Sequence, residues 1–288
     1  MKVVIIGAAG RMGGWLSRHF AKLGDRVVLY DTREDEARML ARQIKQKATD
    51  DLRSALRGAD AIFVSVPIEA TTSVLRGLAD HLSANQIVGE VSSLKSETAR
   101  ALVSLRGRCS TLLSLHPLFG PGIRTLKRKR IVWVPQTDPK QEEAVARRLF
   151  PGATFVRATV EEHDRMMAIT LGLTHFVNAV FARIVEEEEV ENLREFGGTS
   201  FALQLMVAQT VLRDNASLLA SIQLGNRYGP EYVERFLTEA TRLARLTKSD
   251  RKGTEQFFES VRERMRGDPK FELSYRKAYS LLESLLDA

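Results

Sequence analysis

The chain has 288 residues, 44% of them apolar and 27% charged, and its 43 basic against 36 acidic side chains give a net charge of +7. That balance suits a globular protein of one large or two medium domains, so intrinsic disorder is not the default. One cysteine, Cys109, excludes a disulfide framework and a cysteine metal cluster; no metal site is expected, and a reducing cytoplasm fits.

The first element is the apolar run Lys2-Val3-Val4-Ile5-Ile6, which leads straight into Gly7 with no cleavage pattern and so reads as a strand rather than a signal peptide. Gly7, Gly10 and Gly13 form a G-x-x-G-x-x-G turn, a helix follows over Met12–Leu23, and a second strand over Arg26–Tyr30 ends at Asp31. Strand, glycine turn, helix and acid in this order are how a chain holds a dinucleotide. Gly7, Ala9, Gly10, Arg11, Met12 and Gly13 are the candidate pyrophosphate contacts, because backbone N–H groups and a helix N-terminus attract anions. Asp31 is the candidate acceptor for ribose hydroxyls and favours NAD; Arg33, two residues on, leaves NADP open.

The alternation continues through a helix at Glu34–Gln46, a strand at Ala61–Val66 that places Val66 and Pro67 beside the cofactor, and a helix at Thr71–Leu82. Then come a strand at Ile87–Val91, a helix at Ser96–Leu105, strands at Thr111–Leu115 and Ile131–Pro135, a helix at Gln141–Phe150 and a strand at Thr154–Arg157. Apolar strands alternating with helices predict an α/β domain over residues 1–158, a Rossmann-type, doubly wound parallel sheet with ligands at the carboxyl ends of its strands. From 159 to 288 only helices are expected: Glu161–Glu189, Thr199–Leu224, Pro230–Thr247, Thr254–Arg266 and Lys270–Leu286. The Met166–Ala182 stretch is apolar almost all round yet falls short of the roughly 20 residues a bilayer needs. It reads as a buried helix packed against a second copy, hence a homodimer without a membrane span. Glu186 to Glu189 reads as a solvated run. The basic cluster Lys127-Arg128-Lys129-Arg130 reads as a solvated turn or as a field that gathers anionic ligands. Nucleic acid is not the expected partner, since no reader motif accompanies it.

Two segments at strand ends carry chemistry. One is Glu90-Val91-Ser92-Ser93-Leu94-Lys95; the other is Ser114-Leu115-His116-Pro117-Leu118-Phe119-Gly120-Pro121. An imidazole of pKa near 6.5 is a natural base for a hydroxyl that must lose its proton, which makes His116 the leading candidate.

His-Pro-Leu-Phe-Gly-Pro at 116–121, preceded by Ser93-Leu94-Lys95, resembles the His-Pro-Met-Phe-Gly-Pro and Ser-Val-Lys motifs of prephenate dehydrogenases. Glu162-His163-Asp164-Arg165-Met166-Met167 with Leu173-Thr174-His175-Phe176 is similar to that family's helical-domain signature, and Ser221-Ile222-Gln223-Leu224 to its archaeal, single-function members. The resemblance implies a Rossmann domain followed by an all-helical dimerisation domain. It implies NAD(P)-dependent oxidative decarboxylation of prephenate to 4-hydroxyphenylpyruvate, a step of tyrosine biosynthesis. Under it His116 takes the C4 hydroxyl proton, Ser93 orients His116 and the nicotinamide side, and Lys95 places substrate by charge. His175, Gly120 and Gln223 line the substrate, while His163 supports its helix start beside Asp164.

One departure stands out. The arginine that grips a substrate carboxylate in the family falls at Gln209-Thr210 here, so Arg124, Arg194, Arg213 or Arg227 is expected to replace it. Arogenate and 4-amino-4-deoxyprephenate are alternative substrates, and a non-catalytic nucleotide-binding regulatory homologue is an alternative role. A dehydrogenase of small β-hydroxy acids would need a helical-domain lysine, and none occurs between Arg165 and Arg183.

Overall fold

Successive residues of a strand point to opposite faces of its sheet, so an unbroken apolar strand needs cover on both. In β1 (Lys2–Ile6), Val3 and Ile5 enter one buried cluster with Val27, Leu29, Phe63, Leu113, Leu115 and Trp133. Val4 and Ile6 enter the other, with Val28, Ile62, Val64, Val88 and Leu112. Around β1 the chain lays down α1 (Arg11–Lys22), β2 (Arg26–Tyr30), α2 (Glu34–Gln43), β3 (Lys47–Ala48), α3 (Leu52–Leu56), β4 (Ala61–Val64) and α4 (Ile68–Leu78). It continues with β5 (Ile87–Glu90), α5 (Ser96–Val103), β6 (Thr111–Pro117), β7 (Arg130–Val134), α6 (Pro139–Leu149), β8 (Thr154–Arg157) and α7 (Val160–Met167).

The computed structural model describes residues 1–286. Its eight strands are ordered β3-β2-β1-β4-β5-β6-β7-β8, all neighbours parallel except β6 and β7. The strand order reverses between β1 and β4, which opens a crevice beyond their carboxyl ends. The sheet is thus mixed, not wholly parallel. β6 also runs two residues further than the sequence suggests, so His116 lies within a strand, opposite Val132 of β7, rather than in the loop after it. β4 ends early, which leaves Val66 and Pro67 in the turn where Pro67 caps α4. β3 and α3 are too short to leave a periodic signal.

By packing, the chain divides into two units, Met1–Met167 and a second from Ala168 onward. The sequence reading closes the first domain at residue 158. The added stretch is α7, which packs on α5 and β7.

The second unit is helical throughout: a π-helical turn at Ala168–Leu173, then α8 (Thr174–Val185), α9 (Val190–Phe196), α10 (Thr199–Leu212), α11 (Ala216–Gly225), α12 (Gly229–Ser249), α13 (Arg251–Met265) and α14 (Phe271–Leu286). The single helix expected over 199–224 is two, because Asn215 turns extended and its side chain accepts the Ser217 N–H to start α11. The helix expected to reach Glu189 stops at Val185, so the acidic run precedes the N-terminus of α9, where negative charge is favoured. The helical run Val160–Val185 spans 26 residues and meets, by length and composition alone, what a bilayer crossing needs. Full burial of this run, expected from its apolar circumference, is not met within one chain. Val180 is 42% and Ile184 64% exposed, and on α10 Val207 and Leu212 are exposed too.

Candidate active site

The glycine turn follows β1 directly. Gly7 has φ +87°, a left-handed conformation that side chains resist, and a Cβ there would lie 2.3 Å from the Ser65 carbonyl oxygen. A Cβ on Gly13 would lie 2.0 Å from the Gly7 oxygen, so α1 can begin this close to the turn only without side chains. Gly10 caps α1 with no side-chain hydrogen bond, and no acid occupies the first helical turn. The positive end of α1 therefore suits a pyrophosphate. Asp31, 7% exposed, accepts the Ala9 N–H at 2.9 Å and the Arg33 N–H at 2.9 Å. Arg33 pairs with Glu36 at 2.9 Å and lies 3.6 Å from Asp31. Val66 borders the turn, its Cγ1 3.0 Å from a Cβ built on Gly7. These residues fit a dinucleotide with free ribose hydroxyls.

Three strands away, β6 carries His116, 6% exposed. Its Nδ1 lies 2.9 Å from Nε2 of His163 on α7, and Nδ1 of His163 lies 2.8 Å from the Asp164 carboxylate. A carboxylate can only accept, so His163 donates from Nδ1 and keeps a lone pair on Nε2. His116 must then donate from Nδ1, which leaves its own Nε2 as the lone-pair nitrogen. That nitrogen has no hydrogen-bond partner among the described residues. Burial, followed by His163 and Lys95, pushes His116 well below the usual histidine pKa, against the pull of Asp164. Burial likewise lowers His163. Burial favours the neutral acid at Asp164, but hydrogen bonds from His163, Ser96 and the Lys95 N–H hold its pKa below the usual value. The relay Asp164–His163–His116 thus presents a neutral base.

Asp164 is itself anchored at the start of α5. Its Oδ1 accepts the Lys95 N–H at 2.9 Å and its Oδ2 the Ser96 N–H at 2.9 Å, the orphan donors and positive dipole end of that helix. Below it, Lys95 Nζ donates to Glu90 Oε1 at 2.6 Å and to the Leu115 carbonyl at 2.7 Å, with both side chains fully buried. Ser114 Oγ and the Ser92 N–H complete the shell of Glu90. Removing one member of such a pair costs on the order of 3–5 kcal/mol.

This geometry corrects three sequence expectations. Lys95 is not a charge facing substrate, because the Glu90 carboxylate at the end of β5 draws it into the core. Ser93 makes no hydrogen bond to His116; the ring is oriented by His163. His163 does more than support its helix start. Glu90 and Ser114 lie in the two segments that the sequence singles out but carry no role there, and Ser96 falls outside both; a carboxylate at the end of the apolar strand Ile87-Val88-Gly89-Glu90, five residues before a lysine, is a signal of a buried pair.

The remaining candidates occupy varied positions. Gly120 and Arg124 are exposed on the loop after β6. In the second unit, His175 is half-buried with Nδ1 lacking a partner, and burial lowers its pKa. Gln223 Nε2 donates to the Gly172 carbonyl at 2.9 Å. Arg213 is exposed at the end of α10, Arg194 donates to Gln209 at 3.2 Å, and Arg227 stacks over Tyr228. Thr210 bonds back to the Met206 carbonyl.

Residues 16–149 match the family model described as prephenate dehydrogenase, nucleotide-binding domain, and residues 159–263 the one described as prephenate dehydrogenase, dimerization domain. The first match begins beyond the glycine turn, whose assignment rests on its own geometry. A probable arogenate/prephenate dehydrogenase of Methanocaldococcus jannaschii is 24% identical over 260 residues, 88% of this chain and 58% of that protein. The T-protein of Haemophilus influenzae is 25% identical over 266 residues, 91% of this chain and 66% of that protein. The chain therefore spans about three-fifths of the length of these relatives. Among solved structures, a prephenate dehydrogenase from Aquifex aeolicus in complex with hydroxyphenyl propionate and NAD+ matches with TM-score 0.74 at 19% identity, covering 93% of this chain and 98% of that one. A Synechocystis arogenate dehydrogenase matches with TM-score 0.69 at 20% identity, covering 93% and 99%. At these identities the likeness establishes the fold.

Proposed function

Because the chain belongs to the prephenate dehydrogenase family, we propose that it oxidatively decarboxylates prephenate, with NAD as hydride acceptor. The observation that carries this reading is the neutral His116 held by His163 and Asp164. NAD, when bound, would supply the acceptor for the hydride of C4. His116 Nε2 draws off the C4 hydroxyl proton as that carbon becomes a carbonyl, and its Nδ1–H stays on His163 to steady the imidazolium. Loss of CO₂ from C1 returns the bonding electrons through the ring to the C4 oxygen, which takes the proton back from His116 and becomes the phenol of 4-hydroxyphenylpyruvate. The first turn of α1 would hold the pyrophosphate and Asp31 the ribose. NAD rather than NADP is supported by the Asp31 carboxylate and by Arg33, whose guanidinium is already engaged with Glu36.

The reaction is tested by mixing the protein with NAD and prephenate and following reduced cofactor and 4-hydroxyphenylpyruvate together. Turnover of arogenate alone would move the assignment to the amino analogue. Cofactor binding without turnover of prephenate, arogenate or 4-amino-4-deoxyprephenate would overturn it. A second reading, arogenate, is tested beside it because Thr210 stands where the family's carboxylate-gripping arginine falls, so the contacts to the substrate side chain depart from the family pattern. The exposed apolar surface of α8 and α10 supports a homodimer through the helical unit. Ile184→Glu should then sediment as a monomer; an unchanged dimer would place the interface elsewhere.

A further inference from the structure

We propose that Lys95 is a positioning residue, its buried ammonium clamping Glu90 of β5 to the Leu115 carbonyl of β6 while its backbone N–H holds the carboxylate that ends the Asp164–His163–His116 relay. The inference rests on His116 being the base and assigns to a different task the lysine that the family motif would suggest for substrate.

Three contacts carry it. Lys95 Nζ meets the carbonyl of Leu115, the residue immediately before His116, at 2.7 Å, so the ammonium fixes the backbone from which the base projects. The same nitrogen meets Glu90 Oε1 at 2.6 Å, and that oxygen also accepts Ser114 Oγ at 2.6 Å, which locks β5 to β6 one residue further back. The Lys95 N–H meets Asp164 Oδ1 at 2.9 Å, the oxygen that His163 also addresses. One residue thus sets both ends of the relay, the strand under His116 and the acid behind His163.

The side chain is wholly buried, and two of its three ammonium donors serve the Glu90 carboxylate and the Leu115 carbonyl, which holds the charge in the core and away from a dicarboxylate. Its charge has a second consequence. The groups around the two rings are Lys95 and Asp164, with Glu90 beyond them, and the lysine disfavours protonation of both imidazoles. A base that must start each turnover neutral is helped by a fixed cation that substrate cannot neutralise.

Lys95→Met separates positioning from substrate binding. Kinetics with prephenate and NAD should show kcat lower by about tenfold or more with KM within about twofold, the pattern of a group that acts at the chemical step. The acid limb of the pH–rate profile should move to higher pH as the cation is lost. A KM raised about tenfold at unchanged kcat and unchanged acid limb would overturn the proposal and return Lys95 to the substrate. Should the wild-type protein turn over none of these substrates, the functional reading falls alone. The ¹⁵N spectrum of labelled histidine still decides on Lys95, because the protonation midpoint of His116 must rise in the variant, and an unmoved midpoint refutes the coupling. If the variant does not fold, acetylation of the wild-type protein by an N-hydroxysuccinimide ester, read by mass spectrometry, takes its place. Lys95 should stay unmodified while Lys127 and Lys129 react. Modification of Lys95 that prephenate suppresses would sink the proposal.

Discussion

Nδ1 of His116 and Nε2 of His163 approach to 2.9 Å across 47 residues of chain, their rings meeting edge to face at 65°. A strand residue and a helix residue are joined by one proton, and the Asp164 carboxylate decides on which side it sits. His116→Asn should lower kcat by about 10²–10⁴-fold, the range of a lost general base. His163→Leu keeps the base but takes away its acceptor, so a smaller loss, about 10–10²-fold, is expected at nearly unchanged KM. Titration of reduced cofactor by fluorescence should give wild-type affinity in both variants. A comparable collapse of cofactor binding would mean that the rings support the fold instead.

The pH dependence follows from the direction of the histidine shifts. His116, His163 and His19 all lie below the ordinary value of 6.5, burial being the leading cause in each. Between those lowered values and 6.5 the unfolded chain binds more protons than the folded one. Their stabilising contribution is therefore complete above pH 6.5 and declines as the pH falls through that window. Asp164, held below 3.8, adds a loss in the same direction further down. The melting temperature should be flat with respect to these groups from pH 8 to 6.5 and fall below it, more shallowly in His163→Leu. The rate should likewise hold to below pH 6.5. An acid limb centred above 6.5 would contradict a neutral His116 base.

Much of this arrangement is legible in the amino-acid order. Val3 to Ile6, the glycines after them and Asp31 lie in one local stretch, so strand, turn and acid could be read together. His116 stands out by its proline and glycines. The relay and its supports could not be read, because His116 comes from β6, His163 and Asp164 from α7, and Glu90, Lys95 and Ser96 from β5 and the start of α5, and only the fold brings them together. Lys95 departs from the sequence expectation for a physical reason: lysine is usually solvated, and its burial depends on a partner that periodicity does not identify. Asn215 divides the helix expected over 199–224, because an extended capping residue whose side chain accepts the Ser217 N–H starts a new helix inside a stretch of otherwise helical composition.

Asp31 shapes the glycine turn, and one substitution separates that from the ribose contact proposed for it. Its Oδ2 accepts the Ala9 N–H and so shapes the turn, and the same carboxylate suits ribose hydroxyls. Asp31→Asn keeps an acceptor for the backbone but loses the charge. The KM for NAD should rise about tenfold or more, the equivalent of a charge-assisted hydrogen bond worth roughly 1.5–3 kcal/mol. Discrimination against NADP should narrow, with the larger shift when Glu36→Gln also frees Arg33 from its partner. The ratio of kcat/KM values for the two cofactors is the measurement. An unchanged ratio would place the ribose elsewhere.

Two glycines give the sharpest contrast in backbone tolerance. In Gly13→Ala the new Cβ would sit 2.0 Å from the Gly7 carbonyl oxygen and 2.8 Å from its carbon, both backbone atoms with no room to yield. α1 must then lift from the turn, which costs about 1–3 kcal/mol for overpacking and moves its first-turn N–H groups away from any pyrophosphate. Gly77 lies inside α4, and a Cβ there meets nothing within 4 Å. Alanine there, in the last turn of α4, should stabilise by up to roughly 0.5 kcal/mol, since glycine gives up more chain entropy on folding. Urea unfolding of the pair should therefore move the midpoint in opposite directions, and calorimetric titration with NAD should lose its heat only in Gly13→Ala. If Gly13→Ala bound NAD normally, the cofactor could not rest on the start of α1.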